Sequence, residues 1–298
     1  MNNKNLCLGT VQFGLNYGIN NTTGKIKDIQ IKNILNYAKS KSIEWLDTAQ
    51  NYGNAEELIG KSLINKNDFK IINKINSIVK FQYSEKLIER YESNFQDSLK
   101  KLCKNKIDLL LIHNYVDLKL KNINLFNNWL LSLKVRNLVN KIGISIYKLS
   151  DLKNISLELI EVIQLPISLL DQSNLQLKLI EDLQKKGITF HARSIFLQGL
   201  VFQENKNLQN HFSERFRAHH KNFRENFNSD NKKIIGATFS FLKKLDFIET
   251  IIVGIDDLEN LKEICDIWFN NNNYQDYNYK LFSWENNNDI DPRRWNWY

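Results

Sequence analysis

The chain has 298 residues, with 41 lysines and arginines against 33 aspartates and glutamates, for a formal charge of +8. Its 42% hydrophobic and 25% charged content is that of an ordinary globular protein and excludes wholesale disorder. The basic residues are scattered among asparagines and isoleucines with no block that would build a nucleic-acid surface, so the charge implies no more than a mild attraction for anions.

Cys7, Cys103 and Cys265 are too widely separated for a disulfide framework or a zinc site, which points to a reducing cytoplasm. The opening MNNKNLCLGT lacks a basic stretch followed by a long apolar segment, and nowhere do about 18 apolar residues run together, so no membrane association is expected. A single domain over residues 1–298 is the simplest reading, because α/β barrels commonly reach this length.

In chain order, short apolar runs predict strands at 6–9, 43–47, 70–74, 107–113, 141–145, 162–165, 188–193 and 250–254. Segments of helical period follow them near 28–41, 55–63, 84–102, 125–138, 147–155, 174–186, 232–245 and 257–269. Ser84 and Asp28 stand where a helix start needs a side chain to accept orphan amide protons. Eight βα units in series predict a closed (β/α)8 TIM barrel of the α/β class. A long polar segment after the seventh strand, 203–231, is expected across or beside the barrel mouth, and an aromatic C-terminal tail, 270–298, is expected to wrap the outside or cap a loop.

A barrel of this kind carries its chemistry at the C-terminal ends of its strands. The second predicted strand ends in Asp47, the third in Lys74 and the fourth in His113, and Tyr52 follows Asp47 in the next loop. An acid, an amine, an imidazole and a phenol on one rim make a proton-transfer site. Tyr52 would exchange the proton, Lys74 would lower its pKa, Asp47 would hold Lys74, and neutral His113 would hydrogen-bond a carbonyl oxygen. Singly each residue has a plainer explanation, as a turn cap, a solvated lysine or a structural histidine; their recurrence at three consecutive strand ends favours chemistry.

The stretch LDTAQNYGNAEELIGKSL, at 46–63, resembles the LDTAxxYGxxEexlGxxL signature of the aldo/keto reductase superfamily. The likeness continues through LCLGTVQFG, IINKI, IDLLLIHN, KIGISI, VIQLPISLL and IIVGIDDLENLKEI. It implies a barrel that transfers hydride between a nicotinamide cofactor and a small-molecule carbonyl, with Asp47, Tyr52, Lys74 and His113 as its tetrad. By the same resemblance Ser145 and Gln164 hold the carboxamide, Ser194 and Gly254 with the residues that open the last helix hold the phosphates, and Gly9, Thr10 and Asp47 complete the cofactor contacts. Where many members have an asparagine after that serine this chain has Ile146. Where many stack a tyrosine on the nicotinamide it has Arg193, whose planar guanidinium can stack instead. The basic residue many aim at the adenosine 2′-phosphate falls on Asn260, with Lys262 as a substitute. NADP(H) is favoured over NAD(H) by family habit.

LGTVQFGLNYGI and RSIFLQGL are similar to members met in bacterial sugar and cell-surface polysaccharide pathways, which implies a keto-sugar or sugar aldehyde. Gln12, Phe13, Asn16 and Tyr17, with Trp129 or Trp284, are candidates for the substrate rim. No GxGxxG, HExxH, CxxC pair or P-loop occurs, so a Rossmann domain, metal chemistry and triphosphate chemistry have no visible basis. His211, His219 and His220 lie in the polar insertion without ligand spacing, and no metal is expected. Two rivals share the same residues: a cofactor-binding regulatory protein with little turnover, and an isomerase or lyase using Lys74 as a Schiff-base amine.

Overall fold

The computed structural model describes residues 4–22, 24–63, 65–208, 211–270 and 277–295. Eight parallel strands close on themselves in chain order: β1 (Asn5–Gly9), β2 (Trp45–Asp47), β3 (Lys70–Ile75), β4 (Ile107–Ile112), β5 (Val139–Ser145), β6 (Val162–Pro166), β7 (Thr189–Arg193) and β8 (Ile248–Gly254). The expected (β/α)8 barrel is the observed fold.

Strand parity determines what the barrel encloses. Cys7, Ile72, Leu109, Leu111, Val162 and Ile252 form one apolar cluster. Their immediate neighbours Leu6, Leu8, Ile71, Leu110, Ile163 and Val253 belong to a second, larger one. Because successive side chains point to opposite faces, the first set fills the barrel and the second packs outward under the helices. Continuing the inward parity by two residues toward each C-terminal end reaches Gly9, Lys74, His113, Gln164 and Gly254. Asp47 is the register partner of Gly9, and Ser145 of Gln164, so both share that layer. The topmost layer of the interior is therefore polar.

The helices are α1 (Val11–Gly14), α2 (Asp28–Ser40), α3 (Ala55–Ser62), α4 (Glu85–Lys101), α5 (Ile123–Val135), α6 (Leu177–Gln184), α7 (Glu214–Glu225), α8 (Asn231–Lys243), α9 (Leu258–Asn270) and α10 (Asn287–Ile290). Helix α4 buries Tyr91, Phe95, Ser98 and Leu99 at helical spacing, and its Ser84 cap accepts from the Leu87 amide at 3.3 Å. Asp28 is the first residue of α2 and not its cap, which is Lys27.

The helix expected over 147–155 is reduced to a 3-10 turn, Leu149–Leu152. Here the Asp151 carboxylate accepts from the backbone amides of Tyr147 and Lys148, and Asn154 adopts a left-handed φ of 63°. Short polar side chains that bond the local backbone offer it an alternative to the helix.

The segment after β7 packs on the turn that leaves that strand, which lines the barrel-mouth cavity through Gln198, Gly199 and Phe202. Helix α7 buries Phe216, His220, Phe223 and Arg224, and its rings meet those of the C-terminal segment: Phe216 with Trp284 at 5.5 Å and Phe223 with Phe282 at 5.5 Å. The Arg224 guanidinium donates to the Val201 and Ser229 carbonyls. This apolar face, spaced one helical turn at a time within a polar sequence, turns the insertion into a layer over the turns that follow β7. The described part of the tail wraps that layer, and the Trp284 amide donates to the Leu170 carbonyl at 2.8 Å. The remainder of the expected tail, 271–276 and 296–298, lies outside the described residues. Among the described residues, no helix is long and apolar enough to cross a membrane.

Candidate active site

A cavity of about 390 Å³ opens onto the polar top layer of the barrel, lined by Asp47, Tyr52, Lys74 and His113 together with residues from the β1, β5, β7 and β8 ends. At its floor the Lys74 ammonium is ion-paired with Asp47 Oδ1 and donates to the Thr48 carbonyl at 3.2 Å. Both side chains are almost wholly buried, at 1% and 6% exposure. A buried pair of this kind persists only when the remaining lone pairs are met. Gln164 Nε2 meets one, donating to Asp47 Oδ2 at 2.8 Å. Burial works to lower the Lys74 pKa, but Asp47 and Tyr52 reverse the effect and the ammonium is held above its ordinary value.

Tyr52 enters from the β2–α3 turn. Its amide donates to the Ala49 carbonyl at 3.1 Å and its own carbonyl accepts from Ala55 at 3.0 Å. Helix α1 lies directly against this turn. A Cβ on Gly14 would sit 1.7 Å from the Tyr52 carbonyl oxygen, and one on Gly53, at φ +55°, would sit 2.3 Å from the Gly14 oxygen. Only a glycine pair permits that approach. The Lys74 ammonium lies 5.0 Å from the Tyr52 ring centroid. Burial nevertheless holds the phenol above its ordinary pKa, with Lys74 and Arg193 pulling it down and Asp47 adding to the rise. The expected net lowering of the Tyr52 pKa is thus reversed, because the sequence shows the ammonium but not the depth of the ring. Tyr52 is held as a protonated phenol.

The His113 ring stands edge-on to Tyr52, with centroids 6.3 Å apart at 81°. Burial first, then Lys74 and Arg193, push its pKa down to about 3. The imidazole is neutral at physiological pH and keeps one N–H to donate. Taken together, the four groups can place a proton donor and a neutral hydrogen-bond donor on the same acceptor.

Around them, Arg193 Nε donates to Ser145 Oγ at 3.3 Å and its Nη atoms donate to Ser194 Oγ at 3.1 Å and to the Ile146 carbonyl at 3.0 Å. Thr10 Oγ1 donates to the Asp47 carbonyl at 2.9 Å, joining the β1 and β2 ends. Gln164 is fully buried, and its Oε1 has no partner among the described residues.

The comparisons accord with this arrangement. The aldo/keto reductase family model matches residues 5–282, nearly the whole chain. The chain belongs to the aldo/keto reductase family. A search of curated proteins gave no match. Among solved structures, an aldo-keto reductase from Bacillus halodurans in its holo form is similar at 18% identity and a TM-score of 0.67, over 89% of this chain and 87% of that one. A chain from Pseudomonas aeruginosa assigned to the aldo-keto reductases is similar at 19% identity and a TM-score of 0.61, over 88% and 89%. At these identities the likeness concerns the fold. Family membership makes the protein an oxidoreductase that uses a nicotinamide cofactor and suggests a small-molecule carbonyl substrate.

Where this chain departs from the aldo/keto reductase pattern, the structure shows what the new residues do. Ile146 is buried in the outer core and leaves only its carbonyl to Arg193. The Arg193 guanidinium stacks on Tyr147, 4.5 Å from the ring centroid, and Arg293 from the C-terminal segment covers Tyr147 at 3.7 Å. Asn260 lines the far end of the cavity, whereas Lys262 lies outside it, paired with Glu259 at 2.7 Å.

Of the rim candidates, Gln12 and Tyr17 line the cavity and Asn16 does not. Phe13 is core. Trp129 packs between α4 and α5 and donates to Glu92 at 2.8 Å, and Trp284 packs on α7. Tyr147, Asn20, Asn21, Gln198 and Asp256 line the cavity but were not anticipated. Tyr147 could have been found as the second residue past the Ser145 strand end. His219 and His220 each bond a backbone carbonyl at 2.9 Å, and among the described residues no three metal-ligating side chains converge.

Proposed function

We propose that the protein reduces an aldehyde or ketone, with Tyr52 as proton donor and Asp47, Lys74 and His113 as the groups that set its position and charge. The observation that carries this reading is a partly buried, protonated phenol beside a neutral imidazole, both next to the buried Asp47–Lys74 ion pair at the C-terminal ends of β2 and β3. Lys74, buried and held charged, has no free lone pair to attack a carbonyl, which argues against the Schiff-base alternative.

The residues present fit a nicotinamide dinucleotide. Gln164 Oε1 is a buried acceptor in need of a donor, which a carboxamide N–H supplies, and Ser145 retains its hydroxyl proton to donate to the carboxamide oxygen. Gly9 and Gly254, side by side in register, line the cavity with no side chain of their own, and Ser194 adds a hydroxyl for phosphate oxygens. Arg193, fixed by three hydrogen bonds and stacked on Tyr147, forms a flat wall suited to a planar ring. When bound in its reduced form the cofactor supplies the hydride.

The chain's own residues do the rest. His113 directs its N–H at the carbonyl oxygen, and Tyr52 gives up its proton as that oxygen gains charge. The phenolate left behind is stabilised by the Lys74 ammonium, which Asp47 and Gln164 hold in place. The amide and hydroxyl groups of Asn20, Gln198 and Tyr17 in the cavity lining suit a polyhydroxylated substrate, in keeping with a keto-sugar or sugar aldehyde. Purified protein given reduced dinucleotide should consume it on addition of hydroxylated aldehydes. Tight dinucleotide binding without turnover of any such compound would favour the regulatory reading instead.

A further inference from the structure

We propose that the nucleotide end of the cavity selects NAD(H) and rejects NADP(H), contrary to the preference that the family resemblance implies. The inference rests on the reading that this cavity holds a nicotinamide dinucleotide with its carboxamide at Gln164 and Ser145. The adenosine is then assigned to the side of the cavity across the barrel from β5 and β6, where the end of β8, the loop after it and α9 contribute Gly254, Asp256, Asn260 and Ile264.

A ribose 2′-phosphate is nearly dianionic and is held by guanidinium forks or free ammonium groups. The cations that line the cavity among the described residues are Lys74 and Arg193. Both belong to the carbonyl end, and both are committed, one to Asp47 and the other to Ser145, Ser194 and the Ile146 carbonyl. The charged residue lining the adenosine end is an acid, Asp256.

A shallower cleft shares Asn260 with the cavity and runs on along α9, where Asp257, Glu259, Glu263 and Asp266 face Lys232 and Lys262. Carboxylates outnumber ammonium groups there by two. Lys262 is drawn onto Glu259 at 2.7 Å and Lys232 toward Glu263 at 3.7 Å. A phosphate placed at Asn260 meets a negative field from both sides. A free 2′-hydroxyl can instead donate to a carboxylate or to the Asn260 amide oxygen, the usual device for reading the unphosphorylated ribose.

The test is a titration of the full chain with NADH and with NADPH, followed by quenching of tryptophan emission, which reads binding without turnover. NADH is expected to bind at least about tenfold more tightly than NADPH. Glu259→Gln, which releases Lys262, should tighten NADPH by about threefold and leave NADH unchanged. Asn260→Arg should tighten NADPH by about tenfold. Tighter binding of NADPH than NADH by the wild-type chain would overturn the selectivity and leave the dinucleotide reading standing. Binding of neither would overturn both. A wild-type ratio that Glu259→Gln does not move would overturn the role given to Lys262.

Discussion

Gln164 on β6 donates one amide hydrogen to Asp47 on β2 at 2.8 Å, while its own Oε1 is buried with no partner among the described residues. One side chain thus holds the acid that holds Lys74 and leaves a buried acceptor unmet among the described residues. A buried amide left half-satisfied is costly, so a ligand that completes it gains accordingly.

Gln164→Met removes both contacts at nearly constant volume. The dissociation constant for the reduced dinucleotide should rise about tenfold, measured by quenching of tryptophan emission. Unchanged affinity would show that the open acceptor faces no ligand.

Lys74→Met leaves the Asp47 carboxylate buried without its cation and should cost about 3–5 kcal/mol of stability by denaturant unfolding. Adding Asp47→Asn to that variant should restore part of the stability and none of the turnover. Restored turnover would mean that the pair is structural.

Gly14 is tested by its neighbour in space. Gly14→Ala drives a Cβ into the Tyr52 carbonyl and should cost about 3 kcal/mol while lowering turnover, because the loop that carries the phenol must move. Gly24→Ala faces open space at φ +78° and should cost only about 1 kcal/mol, with turnover unaltered. Equal effects on turnover would contradict a positioning role for Gly14.

Acid stability follows from the buried histidines. Burial lowers His113 and His191 to about 3 and His220 to about 4 from an ordinary 6.5. Each therefore takes up a proton on unfolding between its folded and unfolded values, so its contribution to stability is lost as pH falls through that window. Asp117, pushed by burial up to about 6 from 3.8, acts in the opposite sense and releases a proton on unfolding near pH 5. Asp171 and Asp256, also raised by burial, act with it, so stability should fall toward acid by less than the three histidines alone would give. Denaturant midpoints between about pH 4.5 and 6.5 would check this, and a flat profile would contradict it.

The strands and the three strand-end rim residues, Asp47, Lys74 and His113, were legible in the sequence for one reason, whereas Tyr52 stands in a turn that strand parity does not reach. Period-two burial carries Ile72 to Lys74 and Leu111 to His113, so an apolar run that ends in a polar residue of inward parity marks the barrel's upper layer. The missing helix after β5 was less legible, because the carboxylate of Asp151 caps the backbone only once the chain has turned. The packing of α7 against Phe282 and Trp284 joins segments more than 50 residues apart, and no local pattern encodes it. The rise in the Tyr52 pKa depends on how deeply the ring is buried, which charge counting omits. Asp256 is not singled out by the sequence, where the residues that open α9 read as a helix N-terminus suited to phosphate.

The central claim is that Tyr52 delivers the proton. The direct measurement compares the wild-type chain with Tyr52→Phe for consumption of reduced dinucleotide across a panel of hydroxylated aldehydes, with dinucleotide affinity determined in parallel. Turnover should fall by about a hundredfold or more while affinity is unchanged. Wild-type turnover in the phenylalanine variant would contradict it.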